Sequence, residues 1–320
     1  MNKDIWYDYF LDALYKKYPK KNQLAESLMD LLEIEREAVY RRLRKDVAFS
    51  FNEIIKIASA WQISLNEIAD IYSGNIPFFM RPLNFISPSE LELDILKDFT
   101  KIFSQIEPSD DAEFMEICNK LPRSITSGFS HLNQFLVFKC LYQYGNNDKL
   151  ITYSDACLPE KTRYIMSDYY DSVKNVSSVC FIFDGMLFDY LVRDINYFLS
   201  IKLITEKEKE LIKKDILDML NYISESARNG YFKNSKNKFS IYISRINIDS
   251  NYCYLYTKSF KICSVQVFNR HDICSSDVNV IEHVRKWMQY QKRNSTQISE
   301  VDEVARIEYF TRQYKLLEEI

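Results

Sequence analysis

The fold of the amino-terminal part of the chain is decided by residues 24–45, which read LAESLMDLLEIEREAVYRRLRK. Its leucines recur at the spacing of one helical face, at positions 24, 28, 31 and 32. Val39 and Leu43 resume that spacing after Glu33-Ile34-Glu35 interrupts it. The stretch therefore predicts two short helices joined by a three-residue turn.

The flanking sequence predicts three further short helices. The first has apolar residues on one helical face, at positions 6, 10, 13 and 14. The other two each begin with a capping box, in which a serine oxygen accepts the backbone N–H three residues on and a glutamate reaches back. These boxes start at Ser50 and Ser64. We therefore predict an all-α bundle of five helices as a first domain, residues 1–75.

Glycine and proline cluster between residues 74 and 88, and this cluster marks the domain boundary. We place a linker at 76–87 and a mainly helical α+β domain with a small sheet at 88–320. Its predicted helices are one opened by Ser87-Pro88-Ser89-Glu90, then 110–121, 129–143, 186–202, Thr205 to Gly230, 277–292, and 300–318 behind a Ser299 cap. Its predicted strands are 176–184, about 239–243, 252–256 and 260–268, in an order that the pattern does not give.

Composition limits the classes of function. Forty-two basic against 45 acidic side chains give a net charge of -3, which excludes binding of polyanions by bulk charge alone. No run approaches the roughly 20 apolar residues of a membrane span, and the amino terminus carries acids where a signal peptide is apolar. We expect no membrane contact and a cytoplasmic, nucleoid-associated protein.

Sequence motifs for catalysis and metal binding are absent. The three histidines, at 131, 271 and 283, lack metal-binding spacing, and the chain has neither a phosphate-binding loop nor a nucleophile motif. Seven cysteines are widely spread without a C-x-x-C, so neither a zinc site nor a disulfide framework is expected. We expect no enzyme activity, no metal and no cofactor.

Residues 22–72 resemble the helix-turn-helix domain of the phage-repressor family, also described as Cro-like or xenobiotic-response-element proteins. The resemblance is carried by Leu24-Ala25, Leu31-Leu32-Glu33-Ile34, Ala38-Val39-Tyr40-Arg41-Arg42-Leu43, and Ile57-Ala58 followed by Ile63-Ser64-Leu65. It implies a transcriptional regulator that places the second helix of the motif in the major groove of double-stranded DNA. It also implies a homodimer on paired half-sites.

The second helix of the motif concentrates positive charge. Residues 36–45 contain five basic side chains and one acidic one. With Val39 facing the core, steps of about 100° per residue turn arginines outward, and guanidinium groups suit guanine edges and phosphate oxygens. The predicted DNA-contacting residues are Arg36, Glu37, Tyr40, Arg41, Arg44 and Lys45. Arg42 points back to the bundle, where an ion pair with Glu53 and a phosphate contact are both open.

Three departures from the family pattern keep an alternative function open. Met29 stands where the family often has a small residue, and Glu33 and Lys45 stand where it has glycine. These departures favour a protein-interaction module with a degenerate helix-turn-helix that does not bind DNA. A second alternative is a helical bundle whose arginine face is merely solvated. A third is an enzyme with an appended DNA-binding domain.

The second domain is predicted to dimerise. Its tyrosines at 242, 252, 254 and 256 also suit a small-molecule effector site, since each combines an apolar ring with a polar hydroxyl. The alternative is a sheet face that helices cover.

Overall fold

The computed structural model of the protein describes residues 5–61, 63, 65, 68, 78–80, 84–107, 111–144, 151–233, 235–258, 260–268 and 270–320. The chain forms two compact units, Met1–Pro77 and Phe78–Ile320, here called the amino-terminal and carboxy-terminal units. Within the described ranges no helix is long and apolar enough to cross a membrane.

The described part of the amino-terminal unit contains the helices α1 (Ile5–Lys17), α2 (Lys21–Leu32), α3 (Arg36–Leu43) and α4 (Phe51–Trp61). They enclose one apolar core, which includes Leu14, Leu24, Leu28, Val39 and Ile57, all fully buried. The predicted capping box at Ser50 is confirmed, because its Oγ accepts the Glu53 amide and Glu53 accepts the Ser50 amide. Of the helix predicted behind Ser64, only Leu65 and Ile68 are among the described residues, and both are helical.

The carboxy-terminal unit continues with α5 (Glu90–Ser104), α6 (Arg123–Thr126), α7 (Ser130–Tyr144), α8 (Glu160–Val173), α9 (Leu187–Ser200), α10 (Glu206–Asn229), α11 (Val278–Arg293) and α12 (Glu303–Leu316). Its strands are β1 (Phe79–Met80), β2 (Glu113–Cys118), β3 (Ser178–Asp184), β4 (Lys238–Ser244), β5 (Tyr252–Tyr256), β6 (Lys261–Val267), β7 (His271–Ser275) and β8 (Thr296–Gln297). An α+β composition is therefore confirmed.

The described strands form one mixed sheet in the order β1-β7-β6-β5-β2-β3-β4-β8. The central strands β2, β3 and β4 are parallel, and the other pairings are antiparallel. One face carries aromatic residues such as Phe114, Phe181 and Phe239, which pack in a large core with residues of α7, α9 and α10. The opposite face packs against α11 through Val280, Ile281 and Met288 among others.

The predicted start and end of the long helix α10 are both confirmed. The Thr205 hydroxyl accepts the Glu208 amide at the start of α10, and Glu208 accepts the Thr205 amide in return. The helix ends at Gly230, whose φ of 78° is the left-handed conformation that glycine adopts without a steric penalty.

The sheet is larger than predicted, and its central strand was predicted as a helix. Residues 110–121 contain β2, which pairs with β3 on one side and β5 on the other. Both faces of this strand are buried, at Phe114 and Met115 alike. A short strand apolar on both faces lacks the alternation that separates strand from helix, which explains the error.

Two helix starts and the linker also differ from prediction. Helix α5 is capped by Ser89 rather than Ser87, and α12 by Asp302 rather than Ser299, whose buried hydroxyl instead accepts the Ile241 amide. The predicted linker 76–87 belongs to the carboxy-terminal unit from Phe78 onward. It contains β1, which pairs with β7, and the buried Phe85.

Candidate nucleic-acid interface

One face of helix α3 packs against the core of the amino-terminal unit, and the opposite face is exposed. Val39 is fully buried and Leu43 nearly so, while Glu37, Arg41 and Arg44 are exposed on the remaining surface. This is the orientation that the spacing of Val39 and Leu43 predicts. The helix therefore presents charged side chains to solvent from a fixed apolar base.

The three-residue turn before α3 keeps a backbone conformation suited to glycine. Glu33 closes α2 with φ at 56°, and its amide donates to the Met29 carbonyl oxygen at 2.8 Å. Lys45, just after α3, has φ at 69°. Both residues therefore place a non-glycine side chain on a left-handed backbone. A non-glycine residue in the left-handed conformation costs about 1 to 2 kcal/mol of folding free energy.

Arg42 forms the ion pair with Glu53 that was one of its two predicted alternatives. Its Nη2 lies 2.8 Å from Glu53 Oε1 and its Nε 3.1 Å from Oε2, while Nη1 donates to the Ala38 carbonyl oxygen. Burial raises the pKa of Glu53, but hydrogen bonds from Arg42 and the Ser50 amide outweigh it, so the pKa falls below its usual value. Arg42 thus fastens α3 to α4.

Arg44 and Lys45 meet acids on the surface. Arg44 Nη2 lies 2.8 Å from Glu37 Oε1 and its Nε lies 3.1 Å from Asp46 Oδ2, and these hydrogen bonds raise the pKa of Arg44. Lys45 pairs with Asp8 of α1. About half of each basic side chain remains exposed. Exposed pairs of this kind contribute little to stability, so phosphate or base oxygens can replace the acids.

Of the other residues predicted to contact DNA, Tyr40 is half-buried, whereas Arg36 and Arg41 are exposed. The Arg36 guanidinium lies 5.9 Å from the centre of the Tyr40 ring, and the Tyr40 hydroxyl donates to Asn22 Oδ1 at 3.2 Å. Tyr40 is half-buried and links α3 to the start of α2. Arg41 is exposed and forms no ion pair with any described residue.

Sequence reasoning missed Tyr7 as a positioning residue. Its hydroxyl donates to the Arg42 carbonyl oxygen at 3.1 Å and accepts the Phe49 amide at 3.0 Å. It therefore joins α1 to the carboxyl end of α3 and to the following loop. A tyrosine beside an apolar helical face carries no sequence signal for a contact this distant along the chain.

The tyrosines considered for an effector site lie beneath α11. Tyr254 is fully buried and its hydroxyl accepts from Gln289 at 3.0 Å, while the Tyr252 ring lies 4.8 Å from the Trp287 ring. This is the predicted alternative, a sheet face that a helix covers. In the described ranges, no group of three or more histidine, cysteine or acidic side chains is placed to hold a metal ion.

Comparison of the chain with known protein families, with curated proteins and with solved structures finds no match.

Proposed function

We propose that the protein is a sequence-specific DNA-binding transcriptional regulator that inserts α3 into the major groove. The observation that carries the proposal is that Arg41 on α3 and Arg44 directly after it are exposed, while the opposite side of the helix is buried in the core. A short helix held from behind by an apolar base has the shape that the groove admits.

The side chains on α3 and directly after it would contact different parts of the DNA. Arg41 and Arg44 are suited to guanine O6 and N7, which accept two hydrogen bonds from one guanidinium. Glu37 would release Arg44 on binding and accept from a cytosine amine. Arg36 and Lys45, at the two ends of the segment, are suited to phosphate oxygens, which fix the register of the helix on the duplex.

The acids next to these cations support selective binding over general affinity for DNA. Arg44 and Lys45 must exchange Glu37, Asp46 and Asp8 for DNA oxygens, so a poorly matched site offers little gain. The net charge of -3 adds no general attraction to a polyanion.

We also propose that the protein acts as a homodimer through its carboxy-terminal unit. One α3 covers one half-site, and two copies related by a two-fold axis read paired half-sites about one helical turn apart. The carboxy-terminal unit is far larger than the amino-terminal unit and offers the surface for such a contact.

The test is selection of bound sequences from random and genomic double-stranded DNA with the full chain, followed by titration of the selected duplex at two salt concentrations. Arg41→Ala and Arg44→Ala are compared with Lys56→Ala, which removes the same charge from an exposed position of α4. Loss of affinity confined to the two α3 variants supports the proposal.

A protein-interaction module is the second candidate, and exposed apolar side chains favour it. Phe51 is 75% exposed and Ile55, one turn further along α4, is 41% exposed. Such a pair suits contact with another protein. If no duplex is selected over random DNA even at low salt, this second candidate becomes the better one.

A further inference from the structure

Arg270 is a buried arginine for which the described residues provide no carboxylate. Its side chain and backbone together are only 4% exposed. The guanidinium makes one side-chain hydrogen bond, from Nη2 to Asn133 Oδ1 at 3.0 Å, and its buried Nε has no partner. Burial, and after it the charge of Arg123, lowers the pKa of Arg270 to about 9. A charge removed from water in this way strongly destabilises a folded protein unless an opposite charge meets it.

Four other arginines that are at least partly buried each have a partner for the guanidinium group. Arg42, Arg123 and Arg285 are each less buried than Arg270, and each has a carboxylate partner. Arg306 is nearly as buried and also lacks a carboxylate among the described residues, but it donates to the Ile298 carbonyl oxygen and has no buried nitrogen without a partner. Arg270 alone among these five combines deep burial with an unpartnered nitrogen.

The acids nearest to Arg270 have other partners. The residue precedes β7, and its carbonyl oxygen accepts from Arg123 of α6. Asp272, the nearest acid in sequence, is engaged by Arg123. Arg123 thus has Asp272 as its partner, and Glu116 accepts the Ser124 hydroxyl. The charge of Arg270 has no carboxylate of its own among the described residues, and a single negative charge would pair with it.

Apolar side chains form the remaining walls. The ring of Phe85 lies 5.1 Å from the Arg270 guanidinium, and Asn133 donates to the sulfur of Met166 on α8. Phe85 and Met166 belong to one apolar cluster with Val137 and Leu158. Walls of this kind disfavour a phosphate dianion, which would bring a second charge and four polar oxygens.

We propose that Arg270 and Asn133 form a binding site for the carboxylate of a small organic acid whose apolar part lies against Phe85 and Met166. The carboxylate would accept from the unpartnered Nε of Arg270 and neutralise its charge. Phe85 lies on the connecting segment before α5, whereas Asn133 and Met166 lie on helices. The site lies wholly within the carboxy-terminal unit, and its test needs no DNA.

The experiment measures the melting temperature of the full chain with butyrate, butyramide, inorganic phosphate or sodium chloride at equal ionic strength. We expect butyrate to raise it by about 2 to 4 °C over butyramide once its concentration is several times Kd. Arg270→Met should abolish this difference and Arg306→Met should keep it. A shift with phosphate alone, equal shifts with butyrate and butyramide, or an unchanged butyrate effect in Arg270→Met would each overturn the proposal.

Arg270→Met leaves Asn133 Oδ1 without its donor and could therefore prevent folding. A second variant keeps the proposal testable in that case. Arg270→Met combined with Asn133→Leu removes both polar groups together. We expect the double variant to melt at or above the temperature of the unliganded wild-type chain and to ignore butyrate. A double variant that melts well below the wild type would show that Arg270 is a structural residue and would contradict the site.

Discussion

Arg42 and Glu53 join α3 to α4 through two parallel hydrogen bonds, Nε to Oε2 at 3.1 Å and Nη2 to Oε1 at 2.8 Å. Both side chains are less than one-fifth exposed. The pair is therefore shielded from most solvent and has the bidentate geometry in which an arginine and a carboxylate interact most strongly. It fixes the carboxyl end of the helix that we propose reads DNA.

The Arg42 and Glu53 pair should be measurable in a double-mutant cycle. Arg42→Ala, Glu53→Ala and the double variant should give a coupling free energy of about 1 to 2 kcal/mol by urea unfolding. Because the pKa of Glu53 is lowered on folding, this contribution is present above its unfolded value of 4.5 and is lost as the pH falls through the lower folded value. Additive single changes at neutral pH would contradict the account.

The left-handed backbone at Glu33 makes a simple prediction about stability. Glu33→Gly should raise the free energy of unfolding by about 1 kcal/mol, since glycine adopts a φ of 56° without a clash of its side chain. Glu33→Ala is the control, because it removes the same carboxylate but keeps the Cβ atom. Equal stability of the two variants would show that the backbone conformation is not the cause.

Glu116 should make stability fall as the pH rises. Burial raises its pKa from 4.5 to about 7, against the lowering effect of the Ser124 hydroxyl and the Arg123 charge. A group whose pKa is higher in the folded state stabilises fully below its unfolded pKa, and this contribution is lost as the pH rises through the folded value. Between pH 4.5 and 7 the wild type should lose about 3 kcal/mol relative to Glu116→Gln in urea unfolding. A difference independent of pH would contradict the shift.

The proposed dimer has a direct test in solution. Sedimentation of the full chain at micromolar concentration should show a homodimer, and deletion of residues 1–77 should leave it intact because the contact is assigned to the carboxy-terminal unit. A monomer both with and without the selected duplex would rule out the arrangement on paired half-sites.

Local features of this fold could be predicted from sequence, whereas long-range ones could not. The turn at Glu33, the Ser50 capping box and the Thr205 to Gly230 helix depend on residues a few positions apart. The order of the strands depends on pairings such as Glu116 with Cys253, which no local pattern encodes. The two-residue strands β1 and β8 are too short for alternation to mark them.

The candidate interface shows the same division. The outward direction of Arg41 and Arg44 follows from the position of Val39 on the helix, and the inward direction of Arg42 was enough to name Glu53 as one partner. The pairing of Lys45 with Asp8 and the role of Tyr7 join α1 to the end of α3. Burial of Arg270 leaves no sequence signal, because an arginine between two strands usually lies in solvent.

The most direct test of DNA recognition by α3 is titration of the selected duplex with the wild type, Arg41→Ala, Arg44→Ala and Lys56→Ala at two salt concentrations. If the arginines contact bases, each α3 variant should lose about 1 to 3 kcal/mol of binding free energy and relax preference at one position. If they contact phosphate, the salt slope should fall by about 1. Lys56→Ala should bind as the wild type does. Equal affinity of all four proteins at low salt would contradict the assignment of α3 as the recognition helix.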